Sequence, residues 1–216
     1  MKQQINLNTK ILYRSLKIIE EIYDEAQYGI DDLYRIKDIV HCLDENHWVG
    51  KQWLVDSLKP IHDKLFPNTS KMYIAGGWYG LLAHLLRDNF PDNHIVCADM
   101  DPMTEHFGHK LFYDRNIEFK VENCLQSKDL DANIIINTSC EHMDKDDLAN
   151  FIKMKGKESL IVLQTNDFDK LDSHINCSNS LEEFCAFVEP LLSKKWIVSK
   201  ASLDLGDFNR YMIIGQ

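Results

Sequence analysis

The feature that most constrains this chain is a change of rhythm at residue 71. From there, short apolar runs alternate with segments of helical spacing: KMYIAGG, then LLAHLLRDNF; HIVCADMD, then PMTEHFGHKLFYDRN; IEFKVENC; ANIIINTS, then a helix around DKDDLANFIK; and SLIVLQTN. Runs this short, alternating with helices, predict βαβ units and a parallel sheet. The last third breaks the pattern. SLEEFCAFVEPLLS reads as a helix capped by Ser178 or Ser180, and KKWIVSKASLDLGDFNRYMIIGQ holds two strand patterns around a turn near Gly206. With no room for a helix between them, those two strands must be antiparallel.

Residues 1–68 read differently, as helices alone. Asn8 or Thr9 can cap a first helix whose Ile11, Leu12, Leu16, Ile19, Ile22 and Tyr23 recur at three- and four-residue spacing, and Gly29 ends it. Asp31 and Asp32 start a second, DDLYRIKDIVHCLDEN, with Leu33, Ile36, Ile39, Val40 and Leu43 inward. A third runs from about Val49 to Phe66 with Trp53, Leu54, Leu58, Ile61 and Leu65 on one stripe, kinked or divided at Pro60. The expected organisation is a helical cap over residues 1–68 on a sheet domain over 69–216.

Charge and cysteines bound the partners. The 216 residues carry 24 Lys and Arg against 34 Asp and Glu, a net charge of −10, with no basic run longer than two residues. A nucleic-acid or anionic-membrane partner needs a basic face, so both are disfavoured. The six cysteines show no CxxC spacing and fit a reducing, cytoplasmic setting. The polar start MKQQINLNTK is not a signal peptide, and no apolar run approaches the roughly 18–20 residues that span a bilayer. Oligomeric state has no readable signal.

One turn suggests a ligand. In Tyr73-Ile74-Ala75-Gly76-Gly77-Trp78-Tyr79-Gly80-Leu81, a strand runs into glycines and then a helix start. Glycine lets backbone approach a ligand closely, and a helix N-terminus offers free N–H groups. Asp99 ends the second strand, 23 residues after Gly76, where an acid can accept hydrogen bonds from ribose hydroxyls. Asp101 reads as the cap of the helix that opens at Pro102. The acid suits a nicotinamide dinucleotide or S-adenosylmethionine. Ala75 in place of the first glycine of GxGxxG weakens the first.

Over residues 70–216 the order of elements resembles the class I S-adenosylmethionine-dependent methyltransferases. It is similar to a phage- or bacterial-type subgroup of unfixed substrate. The resemblance implies a Rossmann-like α/β fold: a seven-stranded, mostly parallel sheet with an antiparallel last strand. It maps a glycine motif on Ile74–Gly80, an acidic motif on Asp99 with Met100 beside it, an adenine motif on Glu122-Asn123-Cys124-Leu125, and a post-fourth-strand motif on Asn137-Thr138-Ser139-Cys140-Glu141-His142. Ala75, Gly76, Gly77, Trp78, Gly80, Asp99, Met100, Asn123, Cys124, Thr138 and Ser139 are therefore the expected cofactor residues. Trp78 stands where a glycine is usual, and Asn123 where an Asp is usual.

Glu141 and His142 leave the fourth strand at the edge where open α/β sheets build their sites, and are the expected catalytic pair. Gln164, Asn166, His174 and Asn176 follow the fifth strand as candidate acceptor contacts, with Asn166 and His174 preferred. His142, His174 and Cys177 lack ligand spacing, so no metal is expected. Trp48 and Trp53, near His41 and His47, read as packing or lid residues. The expected reaction is methyl transfer to a small molecule or peptide side chain. The alternatives are aminocarboxypropyl transfer, a dinucleotide-dependent oxidoreductase and a non-catalytic binding module.

Overall fold

The computed structural model describes residues 9–25, 30–194 and 196–216; the cap at Asn8 and the stop at Gly29 lie outside the described residues. Three helices lead: α1 (Thr9–Glu25), α2 (Ile30–Cys42) and α3 (Glu45–Leu65). Then come β1 (Lys71–Ala75), α4 (Leu81–Asn89), β2 (His94–Asp99), α5 (Pro102–Phe112), β3 (Glu118–Val121), β4 (Ile134–Asn137), α6 (Lys145–Met154), β5 (Leu160–Asn166), α7 (Leu181–Val188), β6 (Ile197–Asp204) and β7 (Asn209–Gly215).

The strands form one seven-stranded sheet in the order β3-β2-β1-β4-β5-β7-β6. β1 to β5 are parallel, and β7 lies antiparallel between β5 and β6, the expected final pair. Chain direction across the sheet reverses between β1 and β4, the switch point where open α/β sheets place ligands. There Ala75 stands beside Ala98 on one side and Asn137 on the other, so Gly76, Asp99 and Thr138 all leave the sheet at one edge.

Alternation along the strands builds two core layers. Met72 and Ile74 face one layer with Ile136 and Val162; Tyr73 and Ala75 face the other with Ile135 and Leu163. The first layer also takes Leu54, Val55 and Leu58 of α3, which binds the helical segment to the sheet.

The helix limits and faces differ from the expectation. α2 ends at Cys42, and α3 starts at Glu45, four residues early, because Asp44 caps it by accepting from the His47 N–H. It also runs on through Pro60, which is exposed, so solvent serves the carbonyl that the proline ring leaves without a donor. On α1 the buried stripe is Ile11, Ser15, Ile18 and Ile22, while Leu12, Leu16 and Tyr23 are exposed; on α2 it is Ile39 and Cys42, while Leu33 and Val40 are exposed. On α3 Leu65 is exposed rather than inward. Apolar residues surround much of each helix, so period alone did not select the face. The neighbour selects it: Arg14 clamps α1 to α5 through Asp114 and the Leu111 carbonyl, at 2.8–2.9 Å.

Candidate functional site

The glycine turn owes its shape to three left-handed residues: Gly76 at φ +63°, Trp78 at +50° and Gly80 at +87°. Gly77 between them is pressed onto β2. Its N–H donates to the Ala98 carbonyl at 2.9 Å, and a Cβ there would sit 2.3 Å from Cys97 Sγ. Gly76, by contrast, is exposed at the sheet edge, with Ser139 Cβ 3.9 Å from where its own Cβ would be. Trp78 thus holds a glycine-like conformation, which costs a bulky residue about 1–2 kcal/mol. Its ring packs between His47 and Tyr79, at 5.3 and 5.4 Å between centroids.

Asp99 is fixed to this turn. Oδ2 accepts from the Trp78 N–H at 2.9 Å and Oδ1 from the Asp101 N–H at 3.1 Å. A carboxylate has about four acceptor sites, so both oxygens keep capacity for a ligand. Asp101 caps α5 through the Met103 N–H, as expected, and is ion-paired with Arg35.

A cavity of about 910 Å³ runs along this edge and gathers most of the expected residues. Gly76, Gly77, Trp78, Asp99 and Met100 line one end, and Asn123 and Cys124 its flank. Thr138, Ser139, Glu141 and His142 line the part beyond β4, and Asn166 and His174 close it from the β5–α7 connection. Asn123 Oδ1 accepts from the Leu125 N–H at 2.9 Å, which leaves its amide N–H groups for a ligand. Cys124 is a protonated thiol, pushed up to about 11 by burial.

Four expected contacts lie outside the cavity lining. Ala75 belongs to the opposite core layer, and Gly80 is packed on Phe119, whose ring lies 2.7 Å from where a Cβ would be; neither lines the cavity. Gln164 is buried and donates to the Gly50 carbonyl at 3.3 Å, joining β5 to α3. Asn176 holds the loop instead, its backbone N–H donating to the Glu141 carbonyl at 3.0 Å. Trp48 and Trp53 pack on the core, as the packing reading has it, while His41 and His47 line the cavity.

At the far end Glu141 is buried at 3% exposure. Its Oε1 accepts from Asn166 Nδ2 at 2.6 Å, and its Oε2 has no hydrogen-bond partner among the described residues. The His142 and His174 rings meet edge-on, with centroids 4.6 Å apart. Burial lowers the His142 pKa, against the opposing pull of Glu141, so the ring is neutral near pH 7.

Sequence reasoning missed two cations. Lys51 of α3 is buried and lines the cavity; burial, with Arg210 adding to it, pushes its ammonium down to about 8. Arg210 of β7, also buried, donates from Nη1 to the Thr138 carbonyl at 3.1 Å. Lys51 follows His47 by one helical turn, the only local sign of a shared face; nothing near Arg210 in sequence points to the cavity.

No protein-family model matches the chain, and no curated protein matches it in sequence. Solved structures do match in fold. Magnesium protoporphyrin IX methyltransferase from Synechocystis PCC 6803, crystallised with bound SAM, is 14% identical over 99% of this chain and 99% of its own, at a TM-score of 0.60. The plantazolicin methyltransferase BpumL, in complex with a triazolic desmethylPZN analog and SAH, is 11% identical over 97% of this chain and 99% of its own, at 0.62. The N-methyltransferase NodS from Bradyrhizobium japonicum WM9 is 13% identical over 80% of this chain and 98% of its own, at 0.58. With its inserted antiparallel β7 and its switch point between β1 and β4, the chain has the fold of the class I methyltransferases.

Proposed function

We propose that this protein binds S-adenosylmethionine and transfers its methyl group to a small molecule or a peptide side chain. One observation carries the reading: a single cavity joins the open Gly76 turn and Asp99 at one end to Glu141, His142 and His174 at the other. Its volume is within the roughly 300–1,000 Å³ of pockets that enclose cofactors and ligands. Cofactor and acceptor would then lie end to end, and positioning of this kind supplies much of the rate. The solved neighbours support the reading, since one is a magnesium protoporphyrin IX methyltransferase with bound SAM and another a plantazolicin methyltransferase with bound SAH.

The residues fit the cofactor. Asp99 would take the ribose hydroxyls, Asn123 and Cys124 the adenine edge, and Gly76, Thr138 and Ser139 the methionine end. The lining carries Asp38, Asp44, Asp99, Glu122, Glu141, Asp144 and Asp147 against Lys51 and Arg210. Such an acid-rich wall favours a sulfonium over the anionic pyrophosphate of a nicotinamide dinucleotide. Lys51 is the buried cation available to a ligand carboxylate.

When bound, the cofactor supplies an electrophilic methyl carbon; the carbon–sulfur bond breaks with its electron pair kept by sulfur, as an acceptor lone pair forms the new bond. This chain's part is to hold the acceptor and receive its proton. His142 Nδ1 is hydrogen-bonded to the Ser173 carbonyl at 3.0 Å, so Nε2 carries the lone pair and serves as base. Residues 1–68 act in this reading as the cap on the methyl-transfer unit of 69–216, and the phage- or bacterial-type subgroup of unfixed substrate is its finer placement.

Calorimetric titration tests the proposal. S-adenosylhomocysteine should bind at micromolar affinity, Asp99→Ala should lose at least about tenfold, and NAD should not bind. Binding of NAD alone, or S-adenosylhomocysteine affinity untouched by Asp99→Ala, would overturn it.

A further inference from the structure

The far end of the cavity holds a ligand set that the sequence spacing hides. Glu141 and His142, on the turn after β4, meet His174 from the β5–α7 connection, and one ligand atom from each lies within 4.8 Å of the others. Both imidazoles are anchored alike. His142 Nδ1 lies against the Ser173 carbonyl and His174 Nδ1 against the Phe168 carbonyl. A carbonyl only accepts, so the neutral form of each ring has its proton on Nδ1 and its lone pair on Nε2. A backbone carbonyl fixing the second nitrogen is the outer support that metal-bound histidines characteristically have.

Glu141 adds the charge. It is 3% exposed, its Oε1 is oriented by Asn166, and its Oε2 is a buried carboxylate oxygen with no donor among the described residues. Leaving such an atom unpaired is costly, and a cation removes the cost. Asn166 is itself fixed, since its Oδ1 accepts from the Phe168 N–H at 2.9 Å. Cys177 stands nearby but its S–H donates to the Phe168 carbonyl at 3.3 Å, and its sulfur is not part of the cluster.

We propose that Glu141, His142 and His174 form a binding site for one divalent transition-metal ion at the acceptor end of the cavity. Two imidazoles and a carboxylate suit zinc, iron(II), cobalt or manganese and leave coordination positions open toward the cavity. Bonds of about 2.0–2.2 Å would bring the ligand atoms to roughly 3–3.5 Å, so pairs now up to 4.8 Å apart close by as much as roughly 1.3–1.8 Å on binding. His174 lies on a largely exposed connection, which permits that movement. Resting on the methyl-transfer reading, the ion would hold an acceptor hydroxyl and lower its pKa. His142 Nε2 would then be a ligand, and the proton would leave to solvent.

Cobalt(II) is the probe. The full chain, stripped with a chelator, should take up one equivalent and show visible d–d absorption. His142→Ala and His174→Ala should each weaken cobalt and zinc binding by at least about tenfold, while Cys177→Ser leaves it unchanged. S-adenosylhomocysteine affinity, measured on the same samples, should stay within about threefold. Cobalt absorption that persists unchanged in both histidine variants, or no saturable uptake by the wild type, would overturn the site. Should His142→Ala fail to fold, His174→Ala, on the exposed connection, decides alone. Metal uptake without S-adenosylhomocysteine binding would refute the methyl-transfer reading and leave the site standing; the reverse result would refute the site alone.

Discussion

Adding one methyl group at Gly77 should destabilise the protein by an amount that depends on Cys97. The Cβ of Gly77→Ala would lie 2.3 Å from Cys97 Sγ, against about 3.5–4.0 Å for ordinary contact. Cys97 is buried in the middle of β2 and has little room to retreat. Overpacking of this kind costs about 1–3 kcal/mol. For a chain of this size that lowers Tm by about 2–12 °C. The next neighbours, Ile74 Cγ2 at 3.5 Å and Ala98 N at 3.6 Å, are at normal distance, so the penalty resides in one sulfur. Cys97→Ala alone should cost about 1 kcal/mol. In that background Gly77→Ala should be nearly neutral, an interaction energy of about 1–3 kcal/mol. Urea unfolding of the four proteins measures the cycle. An equal Gly77→Ala penalty with and without the sulfur would refute the close approach of turn and strand. Gly76→Ala is the contrast: its Cβ meets nothing nearer than 3.9 Å, so it should cost about 1 kcal/mol for φ +63° and chiefly weaken the cofactor.

Other tests reach different parts of the molecule. Asp44→Ala removes the α3 cap and should cost about 1 kcal/mol in urea unfolding. Asp129 is held below its usual pKa: burial acts to raise it, but the hydrogen bonds from Lys120 and Lys71 prevail. Its stabilising contribution is therefore full above about pH 4 and lost as pH falls through the folded pKa, so Asp129→Asn should flatten the acid limb of a stability-against-pH curve. Lys51, at about 8 in the fold against about 10.4 unfolded, burdens the folded state when charged. Stability should rise as pH climbs from 8 towards 10.4. Lys51→Met should abolish that rise and stabilise the ligand-free protein by about 1–3 kcal/mol at pH 7.

The sheet was legible in the sequence because β1, β2, β4 and β5 are buried on both faces and read as apolar runs, each followed by a helix. The same rhythm located Gly76, Asp99 and Glu141, since a residue just past a strand end must emerge at the sheet edge. Helix faces were less legible. Leu12, Leu16 and Val40 fit the period but look outward, because the packing partner, rather than the period, selects a face. The far end of the cavity was the least legible. His174 lies 32 residues after His142, and only the path of the β5–α7 connection brings the two rings together. Lys51 and Arg210 converge from opposite ends of the chain, through α3 packing across the edge and β7 inserting beside β5.

The structure of the complex with S-adenosylhomocysteine is the most direct measurement. The account predicts ribose hydroxyls within about 2.6–3.2 Å of the Asp99 carboxylate, adenine beside Asn123 and Cys124, and the sulfur directed at Glu141, His142 and His174. A nucleoside bound away from Asp99, or a sulfur facing away from that cluster, would contradict it.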